Sequence, residues 1–508
     1  MSGWISRWGA RQAVLAVAGV FACSPAGADS TAPERWWSPG DGRPLPAELS
    51  YDNALGTLTV INAAGPAPTR GHPFFSPLGA NGRACVSCHQ PADGMSVSVS
   101  TLRERWAATG GKDPVFAAVD GSNCPNLPQQ SRDSHSLLLD KGLFRVFLPW
   151  PPRAADGSSI TPEFTIEVVR DPTGCNTDPV HGLHSATPTI SVFRRPRVAG
   201  NLKYVTAPDR IAMPFEVKSG EPLDTDPQTG ARVSMNIMAD SREPTLQTQA
   251  TSAALTHLQV KDGLTAGQLQ QIVDFENQLY VAQSYDRRAG ALTAPGAPPG
   301  LGPAAMQREQ PGVLRNGALQ HLFMSFAAWE PQAGGETDEQ AAFRASVARG
   351  AALLQTRTIW VRDVYNFNTL GVGNPQKRNC VGCHNMAMTG MDVAPGYMDL
   401  GTTNWPHAEP SPDLPLFKLT CTPASRPHPY LGRVIYTYDP GRALITGRCR
   451  EIGAITMQQF RGLAARAPYF ANGSAATLRD VIDVYDRRFD MRLTEQEKQD
   501  LVNFMGVL

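Results

Sequence analysis

The tightest constraint on this chain is a five-residue pattern that occurs twice. Cys85-Val86-Ser87-Cys88-His89 and Cys380-Val381-Gly382-Cys383-His384 both read Cys-x-x-Cys-His. Two thiols three positions apart can each add to a vinyl group of one porphyrin. The adjoining imidazole then reaches the iron as proximal ligand, so the pattern is the attachment signal of c-type haem. A zinc site built from both Cys pairs normally wants them ~15–20 residues apart, and Cys88 and Cys380 lie far beyond that interval. Two covalently bound haem c groups are therefore expected. Cys85, Cys88, Cys380 and Cys383 are the attachment points, and His89 and His384 are the proximal ligands.

Two haem motifs in opposite halves of a 508-residue chain favour at least two domains. Lys+Arg and Asp+Glu both total 46, so no basic excess calls for nucleic acid. The 43 Pro and 46 Gly point to long irregular connections. Residues 1–28 read as an export signal: Arg7 and Arg11, an apolar run from Ala13 to Cys23, then Ala26-Gly27-Ala28 before Asp29. The alternative is a lipoprotein acylated at Cys23. The apolar run is too short to span a bilayer, and no other stretch reaches ~18 apolar residues, so no membrane span is expected. Export to the periplasm suits the haems and also the cysteines. With Cys23 lost and four held by haem, Cys124, Cys175, Cys421 and Cys449 remain, an even number for an oxidising compartment. They allow three pairings, and separately folding domains would favour Cys124–Cys175 and Cys421–Cys449.

The expected fold is mainly α: two cytochrome c-like domains with long irregular loops and minor β. After an N-terminal extension (29–65), the first haem domain covers 66–290. A Pro/Gly-rich linker covers 291–337, and the second haem domain covers 338–508. Leu137 to Phe147 is the first strong apolar run, and Phe164 to Val169 alternates as a strand does. Thr245 to His257 reads as a helix with Leu246, Gln249, Ala250, Ala253 and His257 on one face. Thr265 with Gln268 opens another helix, carrying Leu269, Ile272, Val273, Glu276 and Tyr280. Glu339 to Thr356 leads towards the second motif. Near the end Leu478, Val481, Ile482 and Tyr485 share a face, and Thr494 with Glu497 caps a terminal helix.

From Phe74 to Leu508 the chain resembles the di-haem cytochrome c peroxidase and MauG superfamily. Arg466-Ala467-Pro468-Tyr469-Phe470-Ala471-Asn472-Gly473-Ser474, then Ala475-Ala476-Thr477-Leu478, is similar to that family's APY-F-H-x-G and x-T-L segment. Asn81-Gly82-Arg83 and Asp439-Pro440-Gly441-Arg442 look like its large-protein branch. Arg242-Glu243-Pro244 through Gln249-Ala250 looks like its first-domain helix.

The resemblance implies two haems with different jobs. The second would accept electrons from a small redox donor protein, a cytochrome c or cupredoxin. The first would reduce hydrogen peroxide. Gln249 falls at a distal Gln, and Gln259 falls where the family carries the acid that assists O–O cleavage. A Gln cannot shuttle a proton as a carboxylate does, so His257, two residues earlier, becomes the candidate to replace it or to cap the iron. Tyr485 falls where peroxidases carry an axial Met and where MauG carries a Tyr. Met491, Met386, Met388, Met391 and Met398 are its rivals as ligand.

The coupling Trp of the family is replaced by the segment Met238-Ala239, and the His of its APYFH segment by Ala471. No second His lies between Gln90 and Ser134, which would leave the first iron open, as in MauG. A calcium ion between domains is implied by resemblance alone, since no acidic cluster has calcium-loop spacing. The expected activity is peroxide reduction. A MauG-like oxidase working through high-valent iron and a non-enzymatic electron-transfer cytochrome are the alternatives.

Overall fold

Helices form where short-range signals agree. Ser98 caps α1 (Val99–Thr109) by accepting from the Thr101 amide, and Gly110 ends it in the left-handed region. α2 (Ser136–Lys141) stops at Gly142, φ 66°. The apolar run from Leu137 to Phe147 is thereby divided between a helix and a strand. Thr245 and Thr265 open α3 (Leu246–Thr256) and α4 (Ala266–Asn277) with reciprocal capping boxes. Asp338 caps α5 (Glu339–Thr356). Thr477 and Thr494 open α6 (Leu478–Phe489) and α7 (Glu495–Gly506), again with capping boxes. The computed structural model describes residues 34–207, 225–308, 326–330, 338–364, 374–386, 388–391 and 396–508; the export-signal reading of residues 1–28, Cys23 included, lies outside them.

The strands come from places where β-branched and aromatic residues alternate with polar ones. β1 (Glu48–Asp52) and β2 (Gly56–Asn62) form a hairpin. β3 (Phe144–Pro149) pairs with β5 (Thr189–Arg194). β4 (Phe164–Arg170) lies beside β7 (Leu416–Cys421), which pairs on its other edge with β8 (Val434–Thr437). β6 (Leu279–Asp286) extends the first hairpin by pairing with β2. Every one of these pairings is antiparallel.

The mainly α expectation is therefore corrected. Helix makes up only 29% and strand 18% of the structure, in several small sheets. The sequence reading credited one strand, near 164–169, and the sheets are completed by pairings between distant stretches of chain. β2 meets β6 and β4 meets β7 across more than two hundred residues, and no local period reports such a pairing. Tyr280 shows the same effect: α4 ends at Asn277, and Tyr280 belongs to β6 instead of the helical stripe.

Residues Glu34–Leu508 cluster as one unit, in which β4 and β7 join the two motif-bearing halves. The segment expected as an N-terminal extension supplies β1 and β2. Of the expected linker, 309–325 and 331–337 lie outside the described residues. Cys124 and Cys175 stand at disulfide distance with Cα atoms 5.2 Å apart, and Cys421 and Cys449 at 5.8 Å. The terminal helix α7 lies across α5. Asp500 accepts from Ser346 (2.5 Å) and from Arg349 (2.9 and 3.0 Å) at that crossing. Among the described residues no helix is long and apolar enough to cross a membrane.

Candidate functional site

Each Cys-x-x-Cys-His segment is a short 3-10 turn, Cys85–Ser87 and Cys380–Gly382. The turn brings the histidine amide back onto the first cysteine's carbonyl, at 3.1 Å for His89 and 2.9 Å for His384. The histidine rings are then oriented alike. His89 Nδ1 meets the carbonyl oxygen of Met95 at 3.1 Å, and His384 Nδ1 meets that of Gly390 at 2.7 Å, each six residues onward. Only an Nδ1–H can donate to a carbonyl, so the tautomer is fixed and Nε2 carries the free lone pair. Burial pushes both imidazoles down to about 4, which keeps them neutral at pH 7. This is the arrangement a ligating histidine needs.

Behind each motif lies a cleft. The first encloses about 1370 Å³ of empty space, its solvent-open mouth included. Cys85, Cys88 and His89 line one side, and Gln249 and His257 of the α3 segment also line it. The second encloses about 1550 Å³ on the same measure, lined by Cys380, Cys383, His384, Tyr485, Met398 and Met491. Arg195, Pro196, Gln458 and Gln459 line both, so a wall of these side chains separates the clefts. That wall contains no aromatic residue.

The clefts fit haem on a further count. Arg195 and Arg466 are buried and Arg197 half-buried, and all three lack a carboxylate partner among the described residues. Arg195 donates to the carbonyls of Val97 (2.6 Å), Arg466 (2.8 Å) and Lys141 (3.1 Å). Arg197 donates to those of Met457 (2.6 Å) and Thr456 (3.1 Å), and Arg466 to that of Gln459. Burial pushes their pKa values down to about 9, 9 and 10. Buried cations are costly unless an anion joins them, and a haem in each cleft would bring two propionates to it. Arg197 lines the first cleft, Arg466 the second and Arg195 both.

The chain just ahead of the first motif fixes the distal candidate. Asn81 Nδ2 donates to the His257 carbonyl at 2.8 Å, at the C-cap of α3. Gly79 passes so close to the Leu258 carbonyl that a Cβ there would lie 1.7 Å from it. Arg83, fully buried, pairs with Asp120, and the other carboxylate oxygen of Asp120 lies 2.5 Å from His257 Nδ1. The result is an Arg–Asp–His relay ending at the first cleft.

Gln249 lines that cleft, and its side-chain amide has no hydrogen-bond partner among the described residues. Gln259 does not line it. The helix has already ended, Gln259 takes φ 56°, and it lies exposed on a loop.

In the second cleft Tyr485 faces the motif histidine: its ring centroid lies 6.5 Å from that of His384 at 61°. Burial raises its pKa well above the ordinary phenol value. Phe470 and Phe489 flank it at 6.3 and 6.1 Å. The methionines divide. Met398 and Met491 share the second cleft, Met391 lines the first, and Met386 and Met388 line neither and pack into the core.

Sequence reasoning passed over Asp120 and the arginines, although Arg194-Arg195-Pro196-Arg197 is a conspicuous charge run beside a strand. Calcium gains no site: among the described residues no group of three or more His, Cys, Asp or Glu is placed to hold a metal ion. No protein-family model matches the chain, and no curated protein does.

Proposed function

We propose that this chain is an exported di-haem c-type oxidoreductase that reduces hydrogen peroxide in the first cleft, with electrons entering through the second. The observation that carries the proposal is the repeated histidine geometry. At both motifs an imidazole Nδ1 is tied to a carbonyl six residues on, and the other nitrogen is left beside a cleft. Cys85 and Cys88 with His89, and Cys380 and Cys383 with His384, would hold the two groups. Arg195, Arg197 and Arg466 would meet their carboxylates. A haem supplies one-electron redox chemistry and, where a coordination position is open, oxygen chemistry.

The two clefts differ as two such roles require. The first carries His257, Gln249 and the Asp120–Arg83 relay. Asp120 orients the imidazole, and His257 would hold a proton toward the cleft. The second carries Tyr485 opposite His384, with Phe470 and Phe489 beside it, and suits electron passage. The donor would be a small redox protein, a cytochrome c or a cupredoxin. The export reading of residues 1–28 and the two disulfide-distance pairs support the periplasm.

A second reading, a MauG-like oxidase of a protein or organic substrate, is favoured by Tyr485 facing His384. A peroxide titration followed by absorbance separates the readings. Rapid reoxidation of a reduced donor protein supports the peroxidase. A long-lived oxidised species that decays only with an organic or protein reductant supports the oxidase. Two low-spin haems inert to peroxide leave an electron-transfer cytochrome.

A further inference from the structure

Glu276 is a carboxylic acid that none of the roles above uses. It sits in the last turn of α4, whose neighbours Ile272, Val273 and Phe275 are buried. It is 4% exposed, and its Oε2 has no hydrogen-bond partner among the described residues. It lines the first cleft together with Cys85, Ala250 and Ile272. An acid on an apolar helix face, with no cation paired to it, costs several kcal/mol if ionised. A neighbouring Gln would have served packing equally well.

We propose that Glu276 is the proton-exchanging group of the first cleft, taking up a proton when an electron enters there and releasing it when the electron leaves. The inference rests on the haem reading of that cleft. The balance is simple. One electron comes from a one-electron donor protein, or in the test from an electrode. One proton comes from water, and one O–H bond forms on the carboxylate. The cleft's net charge stays constant, so the electron is not opposed by an uncompensated negative charge in a medium of low dielectric. Reducing peroxide to water consumes protons as well as electrons, and a carboxyl inside the cleft is placed to relay them.

The surroundings allow this. The helices packed against α4 bring His257 at the end of α3 and Lys203, which is exposed. The motif segment brings Arg83 and Cys85, and Arg197 and Arg242 lie on the cleft wall. None of these forms an ion pair with Glu276, and Cys85 ceases to titrate once bonded as a thioether. Burial alone pushes the Glu276 carboxyl up to about 8, within reach of physiological pH.

The test is the midpoint potential of the first haem measured against pH in the mature holoprotein. In the native protein the potential should fall as pH rises from about 7 to 10. In Glu276→Gln it should be flat over that range. Glu276→Asp should restore the slope with a displaced inflection, and it serves if Glu276→Gln loads poorly. Redox-difference infrared spectra of the native protein add a measurement that needs no variant: a protonated carboxyl band should appear on reduction over the same range, about pH 7 to 10. An unchanged slope in Glu276→Gln overturns the assignment, as does a native potential that ignores pH. Intact mass showing no haem on Cys85 and Cys88 would instead defeat the haem reading itself.

Discussion

His257 and Asp120, 137 residues apart in the chain, meet at 2.5 Å between Nδ1 and Oδ2. The same carboxylate neutralises the fully buried Arg83, two positions before the first cysteine of the Cys85–His89 motif. One aspartate thus joins the attachment segment to the C-terminus of α3. It serves the cleft by orienting His257, and it serves the fold by keeping a buried guanidinium paired.

Replacing Asp120 by Asn should therefore cost far more than a surface change. A buried cation left without its partner destabilises by ~3–5 kcal/mol. Denaturant unfolding of Asp120→Asn should show that loss, while His257→Asn, with Arg83 still paired, should lose no more than ~1–3 kcal/mol. The pH dependence follows from the sign of the shift. Burial would raise the Asp120 carboxyl, but Arg83 and His257 outweigh it and hold the group below its ordinary value. A carboxylate depressed in the folded state stabilises above its unfolded pKa of ~3.9, and that contribution is lost as pH falls through the folded value. The native protein should lose stability steeply below about pH 4, and Asp120→Asn should lose that part of the dependence.

Tyr485 gives a spectroscopic prediction. With its ring 6.5 Å from that of His384 and its phenol inside the second cleft, Tyr485→Phe should alter the absorption and spin state of the second haem alone. A phenolate ligand favours the ferric state, so the variant's second haem should become easier to reduce. Ferric spectra and potentiometry before and after the change decide the matter. An unaltered spectrum would pass the ligand role to Met398 or Met491, which share the cleft.

The two cysteine pairs should matter unequally. In the chain-entropy model, a cross-link spanning the 51-residue separation of Cys124 and Cys175 contributes ~4 kcal/mol. One spanning the 28 residues between Cys421 and Cys449 contributes somewhat less. Removing each pair as a double Ala variant and measuring denaturant midpoints tests the order. Mass analysis without reduction, which should find neither pair as free thiols, tests the pairing.

What was legible in the sequence was local. Thr265 and Thr494 cap their helices through side chains three residues away, and such signals survive any tertiary context. Both Cys-x-x-Cys-His motifs are equally local. The sheets were not legible, because β4 finds β7 only after the chain has folded. Gln259 took its expected role from the family's register alone, and in the structure α3 ends at Thr256 and a residue at φ 56° no longer shares that helix's face. Glu276 was visible as an acid on an apolar stripe, but its lack of a partner is a property of the packed cleft.

The crossing of α5 and α7 yields the last prediction. A Cβ added at Gly350, within α5, would lie 2.1 Å from the Asp500 carbonyl oxygen and 2.7 Å from the Phe504 Cβ. Both obstacles are parts of a helix buried against the core that contains Val347, Ala351, Leu501 and Phe504, so neither can swing aside as a flexible side chain would. In an exposed helix Gly→Ala would gain roughly 0.5–1 kcal/mol from propensity. Here overpacking, typically ~1–3 kcal/mol and larger where backbone must move, should win, and Gly350→Ala should destabilise. The helices would be forced apart at the point where Asp500 bonds Ser346 and Arg349, so Gly350→Leu should be worse still. Because the displaced helices also wall the second cleft through Leu354, Leu501 and Met505, the second haem's spectrum should change along with the unfolding midpoint. A Gly350→Ala protein as stable as the native one would show that the two helices do not approach as closely as described.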